Sequence, residues 1–215
     1  LGENVVVIGL GLLGLLTCQL LKAAGCRVAG IDISEQNFIL AKELGCDHVF
    51  TSGRLTLRDI EKFGFGLGAD AVLITAASTS PQPVELALQV CRKRGRVVVV
   101  GDVVMNIPRV PFYEKEIDFR ISCSYGPGRY DSDYELKGRD YPPAYVRWTE
   151  QRNMEAVLQL MADRRLNVNP LISHRFSIDE APAAYELVSS KTPSLGILLK
   201  YHDQNELTDE KIRET

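Results

Sequence analysis

Val5-Val6-Val7-Ile8-Gly9-Leu10-Gly11-Leu12-Leu13-Gly14 opens the chain, and Asp32 closes the next apolar run, Arg27-Val28-Ala29-Gly30-Ile31. An apolar strand-like run flows into glycines spaced G-x-G-x-x-G, and a long apolar helical pattern follows. That spacing alone is weak. After a strand, before a helix, and with an acid roughly twenty residues on, it reads as a dinucleotide site. Gly9 takes the tight turn out of the strand. Gly11 has no side chain, so a pyrophosphate can approach the backbone, and Gly14 lets the helix lie close on the strand. The Leu12 and Leu13 amides stand at a helix N-terminus, which carries partial positive charge. Asp32 is placed to accept hydrogen bonds from the adenosine ribose, and its charge repels an added 2′-phosphate. At ~4 Å and an effective dielectric of ~20, that repulsion is ~4 kcal/mol per unit charge before screening by solvent and salt. NAD is therefore expected over NADP. The competing reading, a strand–helix turn without a ligand, fits this context less well.

The rest of the chain bounds that reading. With 215 residues there is room for one large domain, or one domain and an extension. A composition 45% hydrophobic and 25% charged is that of a globular protein. The net charge of −3 gives no support to nucleic-acid or anionic-membrane binding. No apolar stretch is long enough to span a bilayer, and no signal-peptide pattern precedes the first strand, so a cytoplasmic location is expected. The abrupt start at Leu1 is expected of a piece cut from a longer protein. Cys18, Cys26, Cys46, Cys91 and Cys123 form no C-x-x-C pair and lie mostly in apolar runs. Reduced, buried thiols are expected rather than a disulfide framework. His48, His174 and His202 are scattered, and no metal site is readable from spacing.

Strands are expected at residues 5–8, 28–32, 48–50, 71–75, 97–100 and 119–124. Between them come helices at 12–24, from a Ser34 cap to Gly45, at 55–63, and at 83–91 with Leu86, Ala87 and Val90 turned inward. Short, continuous Val/Ile runs suit a sheet covered on both faces. The rhythm predicts an α/β fold, a doubly wound parallel sheet of Rossmann type over residues 1–125. Ligands bind such sheets at the carboxyl ends of the strands, which gathers Gly9, Asp32, Thr75, Ala76, Gly101, Ser122, Cys123 and Ser124 around one crevice. Residues 126–147 form a Tyr/Arg/Asp-rich loop, long enough to be either functional or disordered. A C-terminal α+β return segment is expected over 148–200. It comprises a helix at 150–163 with Met154, Val157, Leu158 and Met161 on one face, a strand at 171–176, a capped helix at 179–188 and a strand at 195–199. Residues 201–215 read as a polar tail or linker. Glu114, Lys115, Glu116 and Asp118 read as a solvated face around a turn.

Taken in order, several motifs carry a family resemblance. They are the glycine opening, Gly30-Ile31-Asp32, Leu40-Ala41-Lys42-Glu43-Leu44-Gly45-Cys46-Asp47-His48-Val49 and Gly68-Ala69-Asp70-Ala71-Val72. Arg94-Gly95-Arg96-Val97-Val98-Val99-Val100-Gly101 and His174-Arg175-Phe176-Ser177-Ile178-Asp179-Glu180-Ala181-Pro182-Ala183-Ala184-Tyr185 complete the set. Residues 4–200 resemble the medium-chain alcohol dehydrogenases. Residues 124–148 are similar to the bi-domain oxidoreductases, in which such a module precedes an inositol dehydrogenase-like domain. The resemblance implies NAD(P)-dependent oxidation of an alcohol, polyol or sugar, usually zinc-assisted. It places Gly9, Gly11, Leu12, Leu13 and Gly14 at the phosphates, and Asp32 with Ile33 and Asn37 at the adenosine ribose. Thr75 and Ala76 would line the coenzyme, with Gly101, Asp102, Ser122, Cys123 and Ser124 near the nicotinamide. Many relatives carry a basic residue where this chain has Asn37, which implies weaker NAD affinity. The family's zinc ligands and proton relay belong to an N-terminal catalytic domain that nothing in this sequence matches. The segment after residue 146 would pack on that domain. An exposed apolar surface, self-association into a homo-oligomer, and binding without meaningful catalysis are therefore expected of this chain alone.

Sharper readings compete with plainer ones. Arg129, Tyr130, Asp140, Tyr141 and Arg147 can form a sugar-binding lip, since Tyr rings stack on pyranose faces and charged groups bond hydroxyls. A loop with internal salt bridges is slightly favoured over it. Trp148 reads as a packing anchor, His174 as a strand residue and Cys123 as a small buried residue. The leading reading is the NAD-binding portion of an alcohol, polyol or sugar dehydrogenase. The alternative is an NAD-sensing regulatory module without turnover, against which the 174–199 segment argues.

Overall fold

The computed structural model of the chain describes residues 1–190 and 192–201. The expected polar tail beyond Tyr201, His202 included, lies outside them. The chain divides into two compact units, Leu1–Asn167 and the residues from Val168 onward.

The first unit alternates strands and helices. In chain order these are β1 (Asn4–Ile8), α1 (Leu12–Ala23), β2 (Arg27–Asp32), α2 (Phe38–Glu43), β3 (His48–Thr51), α3 (Leu57–Phe63), β4 (Ala69–Ile74), α4 (Gln82–Val90), β5 (Cys91–Val99), α5 (Arg109–Lys115) and β6 (Asp118–Ile121). A short α6 (Ser132–Glu135) and a longer α7 (Glu150–Ala162) complete it. The six strands form one parallel sheet in the order β3-β2-β1-β4-β5-β6. The order reverses between β1 and β4. Right-handed crossovers then put α1 and α2 on one face and α3, α4 and α5 on the other. Val6, Ile8, Ile31, Val72 and Ile74 pack against Ile60, Val84 and Leu88 of α3 and α4. Val5, Val7 and Val28 alternate to the opposite face and are also buried. Burial on both faces explains the unbroken apolar runs, and the fold is the expected doubly wound α/β sheet.

Differences from expectation have local causes. Ser34 does not cap α2: its hydroxyl accepts the Gln36 N–H at 3.2 Å in a tight turn, and the helix starts at Phe38. α3 starts at Leu57, where Thr56 and Asp59 form a capping box. Leu86, expected inward on α4, is only partly buried, while Val84, Ala87, Leu88 and Val90 are covered. β5 begins at Cys91, several residues early, with a register shift against β4 between Ala69 and Ala71. α5 was not expected; Pro111 stands in its first turn, where a missing N–H is tolerated. Lys115 at its end is not a solvated side chain. Its ammonium donates to the carbonyls of Leu88, Gln89 and Cys91 at 2.8, 2.7 and 2.8 Å. β6 is a sheet edge that stops at Ile121, so Cys123 lies past the sheet and is exposed, not buried. The other four cysteines are buried free thiols. Trp148 is 51% exposed, with the Arg147 guanidinium 4.2 Å from its ring centroid, and does not serve as a packing anchor. α7 buries none of its residues, and Met154, Val157 and Leu158 are exposed.

The second unit is a β-α-β element. β7 (Ile172–Ser177) and β8 (Gly196–Lys200) pair in parallel, joined through α8 (Ala181–Ser189). A capping box of Ser177 and Glu180 starts the turn that leads into α8. His174 is a β7 residue whose Nδ1 lies 2.9 Å from the Ser173 hydroxyl. Among the described residues, no helix is long and apolar enough to cross a membrane.

Candidate functional site

The carboxyl ends of β1, β2 and β4 meet at one point because the strand order reverses there. Gly9 leaves β1 at φ +100°, and a Cβ there would stand 2.6 Å from the Ala76 amide nitrogen. Its N–H donates to Ile31 O at 2.8 Å, tying the turn to β2. Thr75 ties it to β4: the hydroxyl lies 2.8 Å from Gly9 O and 3.1 Å from Ile8 O. The Thr75 and Ala76 amides also donate to Ile8 O. Gly14 sits one helical turn on, where a Cβ would fall 1.8 Å from Gly9 O. The glycine at 14 is thus what allows α1 to press onto the turn.

Gly11 is different. It is the extended residue before α1, and nothing stands within 4 Å of where its Cβ would be. No side chain caps α1, and no acid occupies its first turn. The first amides of a helix have no partner within it, so this end offers donors and the positive end of the dipole to the open space.

A cavity of about 310 Å³ opens at this end. Gly9, Gly11, Asp32, Ile33, Ser52 and Thr75 line it, together with Ala76, Ala77, Ser78, Gln82, Pro83 and Leu86. The Asp32 carboxylate is fixed by two backbone donors: Oδ2 accepts the Leu10 N–H at 2.6 Å and Oδ1 the Ser34 N–H at 2.9 Å. Each oxygen keeps a second lone pair for a ligand hydroxyl.

Gly9, Gly11, Asp32, Ile33, Thr75 and Ala76 thus line one cavity. Leu12, Leu13 and Gly14 form the first turn of α1 beside it. Asn37 does not line the cavity; its side-chain amide donates to Leu10 O at 2.8 Å. A Cβ on Gly101 would stand 2.0 Å from Ala76 O, and Asp102 O accepts the Ser78 N–H at 2.8 Å. Asp102 also lines a neighbouring cavity with Ala77, Ser78, Thr79, Val103 and Val104. Ser122, Cys123 and Ser124 follow β6 and line neither cavity, although the Ser122 N–H still donates to Val99 O. Sequence reading missed Ser52, Ala77, Ser78, Gln82, Pro83 and Leu86 as cavity residues. The first residues after β3 and β4 were the available signal, because the crevice rule applies to every strand that ends there.

The five lip residues all have partners near at hand. Arg129 pairs with Glu135 and lies 4.4 Å from the Tyr130 ring centroid. Asp140 pairs with Arg152, the Tyr141 hydroxyl donates to Asp131, and Arg147 covers Trp148. Tyr134 and Tyr141 stack at 5.7 Å, and Asp131 caps α6. The hydrogen bond to Asp131 pushes the Tyr141 phenol up and the Asp131 carboxyl down. The segment is therefore an internally bonded structure. Among the described residues, no cluster of three or more His, Cys, Asp or Glu side chains could hold a metal ion.

A family model described as zinc-binding dehydrogenase matches residues 13–136, more than half of the chain. Sorbitol dehydrogenase of Rattus norvegicus is 28% identical over 211 residues, covering 95% of this chain and 52% of that protein. Galactitol 1-phosphate 5-dehydrogenase of Escherichia coli K12 is 25% identical over 200 residues, covering 92% and 53%. The structure of alcohol dehydrogenase TADH from Thermus sp. ATN1 superposes with a TM-score of 0.73 at 26% identity, covering 94% of this chain and 51% of that one. The chain thus spans about half the length of these relatives. It belongs to the zinc-binding dehydrogenase family, within the medium-chain alcohol dehydrogenase superfamily.

Proposed function

We propose that this chain is the dinucleotide-holding portion of an oxidoreductase that moves a hydride between a nicotinamide and an alcohol, polyol or sugar hydroxyl. One observation carries the reading: the open backbone at Gly11, on the uncapped end of α1, opens into the same cavity as the fixed Asp32 carboxylate. The names of the polyol dehydrogenases among its relatives support the substrate class. Gly9, Gly11 and the first amides of α1 would hold the pyrophosphate, and Asp32 the adenosine ribose. Ala76, Gly101 and Asp102 would flank the nicotinamide end. The coenzyme, when bound, supplies the hydride chemistry. The chain's own residues fix its position: Thr75 holds the turn, Gly14 admits the helix, and Asp32 presents two oriented acceptors.

NAD is the preferred coenzyme, because a 2′-phosphate would meet the Asp32 charge with no cation among the cavity residues to offset it. The zinc ligands and proton relay lie in a catalytic domain outside this sequence, and the exposed apolar side of α7 packs there. Homo-oligomerisation, a following inositol dehydrogenase-like domain and a cytoplasmic setting complete the proposal. Titration of the chain with NADH and NADPH, followed by nicotinamide fluorescence, tests it. NADH is expected to bind at least tenfold more tightly. Equal or tighter NADPH binding overturns the preference, and no binding of either overturns the site.

A second reading is an NAD sensor. It accounts equally for a cavity lined by no His, Lys, Tyr or Cys able to move a proton. Turnover separates the two: the intact parent should change NADH absorbance with some alcohol or sugar, and a sensor should not.

A further inference from the structure

Leu10 lies between the end of β1 and the start of α1, so neither sheet nor helix supplies partners for its backbone. It is fully buried, and buried peptide groups require partners. Both come from side chains of one short segment. The N–H goes to Asp32 Oδ2 at 2.6 Å, and the C=O accepts from Asn37 Nδ2 at 2.8 Å. The Leu10 side chain is seated over Gly30, where a Cβ would come within 2.7 Å of its Cδ2.

Asn37 holds the position before the first residue of α2, where asparagine normally caps the helix through its side chain. Here it makes no such cap. Its amide is directed across 27 positions of sequence to the glycine turn instead.

We propose that Asn37 is a positioning residue that presets the phosphate-binding turn by fixing the Leu10–Gly11 peptide plane. This rests on the dinucleotide reading of the cavity. In a trans peptide the C=O and the following N–H lie in one rigid plane and point in opposite directions. Holding the Leu10 carbonyl toward Asn37 therefore points the Gly11 N–H the other way, and Gly11 lines the cavity. Glycine gives that plane unusual freedom to turn over. Turned over, it would present a carbonyl oxygen where an amide had been, and an anion would meet repulsion in place of a hydrogen bond. The clamp removes that alternative before the coenzyme arrives. It acts on the phosphate end only, through Leu10, and without adding charge.

The test uses Asn37→Ser, which keeps a residue able to cap α2 but cannot reach Leu10, with Asn37→Ala beside it. Amide hydrogen exchange is measured at residues 10–12 in the unliganded chain, and affinities for NADH and for adenosine are measured in solution. Both variants should exchange faster at those amides and bind NADH at least fivefold more weakly. Adenosine, which has no phosphate, should change less than twofold, and Asn37→Ser should stay folded at the assay temperature while melting below the wild type, because the buried Leu10 carbonyl loses its donor. Unchanged exchange, or an equal loss for NADH and adenosine, overturns the proposal. If the wild type binds no NADH, the dinucleotide reading falls, and exchange still decides whether the clamp exists.

Discussion

The same added methyl group should cost stability at Gly14 but not at Gly11, while weakening NADH binding at both. In an ordinary helix interior, Gly→Ala gains ~1 kcal/mol. At Gly14 the new Cβ would stand 1.8 Å from Gly9 O, 2.9 Å from Gly9 C and 3.0 Å from the Thr75 hydroxyl. Two of these atoms are backbone, in a turn held by Ile31 O, Thr75 and Ala76, so nothing yields cheaply. Overpacking costs ~1–3 kcal/mol, and a clash this close with fixed backbone falls in the upper part of that range, above the helical gain. Gly14→Ala should therefore destabilise by ~1–2 kcal/mol net. With a urea slope of ~2 kcal/mol per molar, the midpoint should fall by roughly 0.5–1 M. NADH affinity should fall as well, because α1 can no longer meet the turn. Gly11→Ala has no neighbour within 4 Å, and its φ of −74° suits alanine. Its midpoint should stay within about 0.3 M of the wild type, a change of roughly 0.5 kcal/mol. Its methyl would project into open space at the end of α1, and NADH affinity should drop at least tenfold. A stabilised Gly14→Ala would refute the steric argument, and a Gly11→Ala that binds NADH normally would refute the placement of the pyrophosphate.

Other expectations follow from buried groups. Cys123 is the one exposed thiol among the five, so native protein should show one fast-reacting thiol toward an aromatic disulfide reagent, lost in Cys123→Ser. Cys18 and Cys91 should stay slow: the Cys46 thiol 3.1 Å away and burial push Cys18 far up, and burial pushes Cys91 up to about 11. Lys115→Met should destabilise by ~1–3 kcal/mol in urea unfolding, since three carbonyls at the end of α4 lose their donor. Asp47 ties Lys22 to the Val28 amide. Burial raises its carboxyl pKa, but those two donors outweigh this and hold it below the usual range. A carboxyl depressed in the folded state stabilises above its unfolded pKa of ~3.9 and loses that contribution as pH falls through the folded value. The gap in urea midpoint between wild type and Asp47→Asn should therefore be constant from pH 7 to 5 and narrow below pH 4.

The sheet was legible because both of its faces are buried. Val5, Val6 and Val7 alternate between two covered layers, so every position is apolar and the strands stand out. The glycine turn was legible because its backbone can be built only from particular residues. What the sequence concealed was the use of polar side chains over long separations. Ser34 and Asn37 are both good capping residues, and local propensity placed the start of α2 at Ser34. The helix starts at Phe38, because Ser34 closes its own turn and Asn37 serves a carbonyl 27 positions away. Lys115 read as one charge in a solvated run, yet its ammonium is the donor for another helix's last carbonyls. The loop residues from Arg129 to Arg147 read as only slightly fitter to bond one another than to hold a sugar, since the chemistry that recognises a hydroxyl is the chemistry that builds a network. Periodicity reports which face of an element is covered. It does not report where a hydrogen bond leads once the chain has crossed the sheet. In this protein the glycine turn and its acid could be read from the sequence, while the two hydrogen bonds that tie Leu10 to Asp32 and Asn37 became visible only once the chain had folded.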